Sequence, residues 1–130
     1  MSKIKKVLMV DDAPAMRKVG AKFLSALGLE VVTAQDGFEA LEVIRREEPD
    51  ACFIDVDMPN LDGLRLVSIL RANPEFGNRP IAMLTSATTA FDRQKGFLVG
   101  ADLYLTKPFS GETISKAFAS MVEIAEGAHE

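Results

Sequence analysis

The chain has 130 residues, 48% of them apolar and 26% charged, which suits one globular domain over residues 1–130 with a single sizeable core. Its net charge of −4 argues against a nucleic-acid-binding surface, which is usually basic, and fits a cytoplasmic protein that meets other proteins. No apolar run approaches the ~20 residues that span a bilayer, and Met1 to Lys6 lead straight into a strand with no signal-peptide core, so no membrane association is expected.

Strand one is Lys6 to Val10, ended by Asp11-Asp12. Pro14 suits the first turn of a helix, where a missing N–H costs nothing. Met16, Val19, Phe23, Leu24 and Leu27 then recur at helical spacing, and Gly28 stops that helix. Strand two, Glu30 to Ala34, is the most polar of the strands and is placed at an edge. Asp36 with Glu39 three residues on resembles a capping box. Phe38, Ala40, Leu41 and Ile44 are the expected buried face of the second helix, and Pro49 ends the connection after it.

Ala51 to Asp55 is an uninterrupted apolar run that stops at a carboxylate, as suits a strand buried on both faces of a sheet. The lone Cys52 sits inside it and reads as a buried, inert thiol. Asp62 caps a third helix carrying Leu66, Val67 and Leu70, closed by Asn73-Pro74. Strand four is Pro80 to Leu84, ended by Thr85-Ser86. A fourth helical pattern, roughly Thr89 to Val99, has a thin apolar face and Gly96 inside it, so a less firmly held element is expected. Gly100 ends it. Ala101 to Leu105 is strand five, Thr106 to Phe109 a turn, and Ser110 caps a last helix with an apolar stripe at Ile114, Ala117, Phe118, Met121, Val122 and Ala125.

Strict β/α alternation implies an α/β fold, a doubly wound five-stranded parallel sheet with helices on both faces. Asp11, Asp12, Asp55, Thr85 and Lys107 then all follow the C-terminal ends of strands. In a parallel sheet those ends share one edge, where open α/β sheets place their ligands, so scattered positions collect into one pocket. Clustered carboxylates persist when a cation neutralises them, and an all-oxygen set suits a hard ion such as Mg²⁺. A carboxylate beside such an ion is a nucleophile toward phosphorus. The charge spread over the transferring group calls for a cation and a hydrogen-bond donor, which Lys107 and the Thr85 hydroxyl supply.

These residues carry a resemblance. Asp11-Asp12, Asp55 followed by Met58-Pro59 and Asp62-Gly63, Thr85-Ser86, and Tyr104 with Lys107-Pro108-Phe109 closely resemble the receiver domain of two-component response regulators, the CheY type, from about Lys5 to Ala125. The resemblance implies the flavodoxin-like strand order 2-1-3-4-5. It implies phosphorylation of Asp55 from a histidine kinase, with Asp12 binding Mg²⁺ directly, Asp11 through water, and the Asp57 backbone carbonyl completing the ligands. It further implies a cis bond between Lys107 and Pro108 and a switch in which Thr85 moves toward the phosphoryl group and Tyr104 follows inward. The output face for a downstream effector would be the fourth helical pattern, fifth strand and last helix, with Phe91, Lys95, Val99 and Tyr104. Such a module catalyses only its own phosphorylation and dephosphorylation and is not an enzyme toward external substrates. Asp57 and Ala87 stand where the family modulates loss of the phosphoryl group. The stretches from Phe91 to Gly96, Val99 to Asp102 and Tyr104 to Ser110 look most like receivers of pilus-linked chemosensory systems that drive twitching. Two other readings are a receiver fold that signals without phosphorylation and a haloacid-dehalogenase-type phosphatase, whose D-x-D form Asp55-Val56-Asp57 shares. Oligomeric state, and whether the chain is a whole protein or part of one, stay open.

Overall fold

The computed structural model describes residues 4–86, 94–95 and 97–127. Its elements are β1 (Lys6–Val10), α1 (Pro14–Ser25), β2 (Glu30–Ala34), α2 (Gly37–Glu47), β3 (Ala51–Asp55), α3 (Gly63–Ala72), β4 (Ile81–Thr85), β5 (Leu103–Thr106) and a C-terminal helix (Gly111–Gly127). The strands form one parallel sheet in the order β2-β1-β3-β4-β5, as the resemblance implied. Most of the fourth helical pattern, including Thr89, Phe91 and Gly96, and also Ala87, lies outside the described residues. Residues 94, 95, 97 and 98 are helical.

Period-two alternation along the central strands divides the core. Leu8, Val10, Cys52, Ile54, Ile81 and Met83 pack with residues of α2 and α3. Val7, Met9, Ala51, Phe53, Ala82 and Leu84 pack with Leu24 of α1 and with Ile114, Ala117 and Met121 of the C-terminal helix. Both faces are covered, which is why these strands read as continuous apolar runs. Cys52 is fully buried, and that burial pushes its thiol up to about 12.

Local chemistry sets the helix ends. Asp36 and Asp62 accept hydrogen bonds from Glu39 N and Arg65 N, capping α2 and α3. Ser110 Oγ accepts from Thr113 N, while Thr113 Oγ1 accepts from Ser110 N.

The structure corrects three apolar positions. Phe38, expected in the buried face of α2, is 61% exposed, and Val19 and Leu27 of the first helical pattern are also exposed. In each helix a glycine takes the closest contact instead. A Cβ at Gly37 would meet Leu61 Cβ at 2.7 Å, and one at Gly20 would meet Met9 Sδ at 2.9 Å. The buried stripes therefore run Gly37, Ala40, Val43, Ile44 and Gly20, Leu24, and Phe38 and Val19 fall beside them. Strands four and five also shift at both ends. β4 runs Ile81–Thr85 rather than Pro80 to Leu84, and β5 runs Leu103–Thr106 rather than Ala101 to Leu105, with Asp102 ahead of it occupied elsewhere.

That occupation is a clasp. Arg71 donates to Gly100 O (2.8 Å), Gly77 O (3.0 Å), Arg79 O (2.8 Å) and Asp102 Oδ2 (2.7 Å), and Asp102 Oδ2 also accepts from Ile81 N (2.9 Å). One planar guanidinium thus joins the end of α3, the loop before β4 and the approach to β5. Arg71→Ala is expected to lower unfolding free energy by about 2–3 kcal/mol in urea titrations. Arg71→Lys should recover little of it, because an ammonium cannot reproduce the fork; full recovery would show that charge alone matters.

Candidate functional site

The C-terminal ends of β1, β3, β4 and β5 build the site. Register pairs Val10 with Ile54, so the residues that follow, Asp11 and Asp55, are brought side by side. Asp11 is fully buried: its N–H donates to Ala34 O (3.2 Å) and its Oδ1 accepts from Ala13 N (2.9 Å). Asp12 is exposed at the rim. Asp55 is 3% exposed and closes β3.

The loop after Asp55 is tied back onto the strand. Asp57 N donates to Asp55 Oδ1 (3.3 Å), and Gly63 N donates to Val56 O (2.9 Å). A Cβ on Gly63 would strike the Asp55 carbonyl and meet Val56 Cα at 2.9 Å, so only glycine lets α3 begin this close to the strand end. Met58 and Leu61 are buried beneath the loop, and Asn60 turns it with a φ of 70°.

Lys107 arrives from the other side. Its N–H donates to Thr85 O (2.7 Å), and the Lys107–Pro108 peptide is cis. Its Nζ lies 2.9 Å from Asp11 Oδ2 and 3.1 Å from Asp55 Oδ1, and hydrogen-bonds the latter. One ammonium therefore bridges two buried carboxylates. No donor among the described residues is oriented to hydrogen-bond Asp11 Oδ2, although Lys107 is close. Asp11, Asp12 and Asp55 each present an oxygen within 4.8 Å of the others.

The electrostatics follow from this crowding. Burial, and then the charge of Asp11, push Asp55 up to about 7 against the opposing pull of Lys107. Burial by itself would lower Lys107, but its close approach to the Asp11 and Asp55 carboxylates outweighs that, so Lys107 is raised.

Asp11, Asp12, Asp55 and Lys107 thus converge. Thr85, fully buried, adjoins them through the Lys107 amide, and Asp57 through its own. Tyr104 does not join them: it is half-buried, packs against the core beneath α2 and α3, and its ring lies 6.3 Å from that of Phe97. Sequence reasoning missed Arg17, whose Nη1 donates to Asp11 O at 2.7 Å. The available signal was a basic residue one turn into the helix that follows the acidic pair.

A family model described as the response regulator receiver domain matches residues 7–119. The chain belongs to that family. As a receiver it is similar to Protein PilG of Pseudomonas aeruginosa, 40% identical over 117 residues that cover 90% of this chain and 87% of that protein. It is 34% identical over 120 residues to Sensor histidine kinase CheAY of Helicobacter pylori, covering 91% of this chain but 15% of that protein. It spans about half the length of several other curated relatives that it matches. Among solved structures, the chemotaxis response regulator CheY4 of Vibrio cholerae superposes with a TM-score of 0.86 at 37% identity, covering 92% of this chain and 99% of that one. The receiver is a signalling module of two-component systems.

The crowding of Asp55 predicts a pH dependence. The folded state binds the Asp55 proton more tightly than the unfolded chain does, so in buffer freed of divalent cations this group's stabilisation is lost as pH rises from about 4 to 7. Asp55→Asn should remove that slope and be more stable than the parent by about 1–2 kcal/mol at pH 8, with no gain below pH 4. Denaturant titrations across pH would check it, and equal slopes in the two proteins would refute it.

Proposed function

We propose that this receiver accepts a phosphoryl group on Asp55 from a phosphohistidine of a partner kinase, with Mg²⁺ bound, and thereby changes the surface it offers to an effector. The observation that carries this reading is Lys107 Nζ bridging Asp11 and Asp55. An acid and a permanent cation held together at a strand end are what an incoming phosphoryl group requires. The donor set fits the metal: three carboxylates converge, and the buried Asp11 Oδ2 has no directed hydrogen bond among the described residues. Asp12 would hold Mg²⁺ directly, Asp11 through water, with Asp55 and the Asp57 backbone carbonyl completing the set. When bound, the ion offsets the mutual repulsion of the acids and the charge on the phosphoryl oxygens.

An Asp55 oxygen attacks phosphorus, the P–N bond to the donor imidazole breaks, and its electron pair leaves with the imidazole. Lys107 moves from the Asp55 carboxylate toward the phosphoryl oxygens, and the Thr85 hydroxyl donates to them. The new group brings about −1.5 to −2 charges, and the fold shifts only by the difference in how the two states engage it. Rearrangement at Thr85 then reaches Tyr104, which adjoins Phe97. The output face is assigned to residues 94–99, β5 and the C-terminal helix, where Phe97 is half exposed and Leu98 85% exposed. The likeness to Protein PilG supports a place in a pilus-linked chemosensory system in the cytoplasm, and the whole chain is read as one receiver domain.

Incubation with acetyl phosphate and Mg²⁺, followed by intact-mass measurement, should add one phosphoryl group to the parent. Asp55→Asn, or chelation of the metal, should abolish it, and Lys107→Ala should slow it by about 10²-fold. p-Nitrophenyl phosphate should remain unhydrolysed. A parent protein that stays unmodified, or that is labelled elsewhere than Asp55, would end the reading.

A further inference from the structure

The acids Asp11 and Asp12 stand on the short turn between Val10 and Pro14. That turn is poorly secured by the usual means. Ala13, the N-cap of α1, makes no side-chain cap, and the first helical turn has no acidic residue. Carboxylate repulsion works to open it, since Asp11, Asp12 and Asp55 each place an oxygen within 4.8 Å of the others. Against this stand the Asp11 N–H bond to Ala34 O (3.2 Å), the Ala13 N–H bond to Asp11 Oδ1 (2.9 Å), the Lys107 Nζ ion pair with Asp11 Oδ2 (2.9 Å) and the Arg17 Nη1 bond to Asp11 O (2.7 Å). Lys107 holds the carboxylate; the arginine bond is the shortest of the four and the one by which a cation holds the main chain of the turn itself. Arg17 also donates its backbone N–H to Ala13 O (2.9 Å). One residue thus grips both ends of the acid-bearing turn.

The geometry points to Arg17 as a positioning residue for Mg²⁺: its guanidinium, fixed to the Asp11 carbonyl, keeps Asp11 and Asp12 turned toward Asp55 before any ion arrives. This rests on the reading of the three acids as a Mg²⁺ site. Arg17 contacts neither the ion nor the phosphoryl group; it limits the conformations of the turn that must be ordered on binding. Without it the acids relax apart, and the metal's apparent affinity falls by the fraction of molecules still competent. Groups that orient a metal's ligands are typically worth 10–100-fold in affinity, and Arg17 acts at one further remove, so about tenfold, the low end, is expected here.

The test compares the parent with Arg17→Ala and Arg17→Lys. In metal-free buffer, amide hydrogen exchange at Ala13 should quicken in Arg17→Ala, because the main chain that carries its acceptor, Asp11 Oδ1, loses one of its holds. Mg²⁺ titrations followed by amide chemical shifts should give about tenfold weaker binding for Arg17→Ala, with part of the loss recovered by Arg17→Lys, which keeps one cationic donor. With acetyl phosphate, the Mg²⁺ concentration for half-maximal phosphorylation should rise by more than the rate at saturating Mg²⁺ falls. Folded variants with parental Mg²⁺ affinity and parental Ala13 exchange would overturn the assignment. So would a loss confined to the saturated rate, which would place Arg17 on the phosphodonor. If Arg17→Ala does not fold, Arg17→Lys decides on the same readouts. If the parent binds Mg²⁺ more tightly than the variants yet is never phosphorylated, the positioning role stands and the phosphoacceptor reading falls.

Discussion

The structure depends on holding carboxylates together that repel one another. Asp11 and Asp55 are both buried, and they are adjacent because β1 and β3 are adjacent, paired in parallel with Val10 against Ile54. Two apolar layers fix that pairing, one on each face of the sheet. The strand ends that carry the acids cannot separate without unpairing β1 and β3, so only the turn beyond Val10 and the side chains are left to relax. The crowding shows instead in a raised proton affinity of Asp55: burial first and then Asp11 raise it, while Lys107 opposes them. In the function proposed here, binding of a cation and of a phosphoryl group would both draw on this one source. A site already crowded with negative charge responds strongly to a small change in charge.

Much of this was legible in the chain because parallel strands announce themselves. Continuous apolar runs ending at Asp11 and Asp55, and a shorter one two residues before Lys107, located the sheet, its shared edge and the residues on it. Polar Glu30 and Thr33 marked β2 as an edge strand, which it is. The misreadings share a cause. Phe38, Val19 and Leu27 were assigned inward because they are large and apolar, yet the closest approaches were reserved for Gly37 and Gly20, which contribute nothing to an apolar count. Close packing of a helix against its neighbour can require the absence of a side chain, and hydrophobic periodicity is blind to that. Arg17 was missed for a related reason. Its value lies in one hydrogen bond to a main-chain oxygen, and nothing in the residue type reveals which carbonyl it will find.

The two arginines that matter most act on backbone rather than on other side chains alone. Arg17 steadies the turn at the C-terminal edge of the sheet, and Arg71 ties three segments together nearer the opposite edge. Between them lie the layers of the core. The chemistry at one end is therefore mounted on a body braced at the other, and the stretch approaching β5 through Gly100 is anchored at its far end by Arg71.

The strands that carry the site are not equally secured. Asp11 and Asp55 extend from β1 and β3, each flanked by strands on both sides and sealed by helices. Lys107 extends from β5, which lies at the margin of the sheet, pairs among the described residues with β4 alone and has every residue partly open to solvent. Margins of a sheet yield before its middle does. The anionic half of the pocket is accordingly an anvil and the cationic half a lever. Under the function proposed here, a signal leaving this pocket would have its easiest path through the strand that bears the lysine, which is also the strand that bears Tyr104.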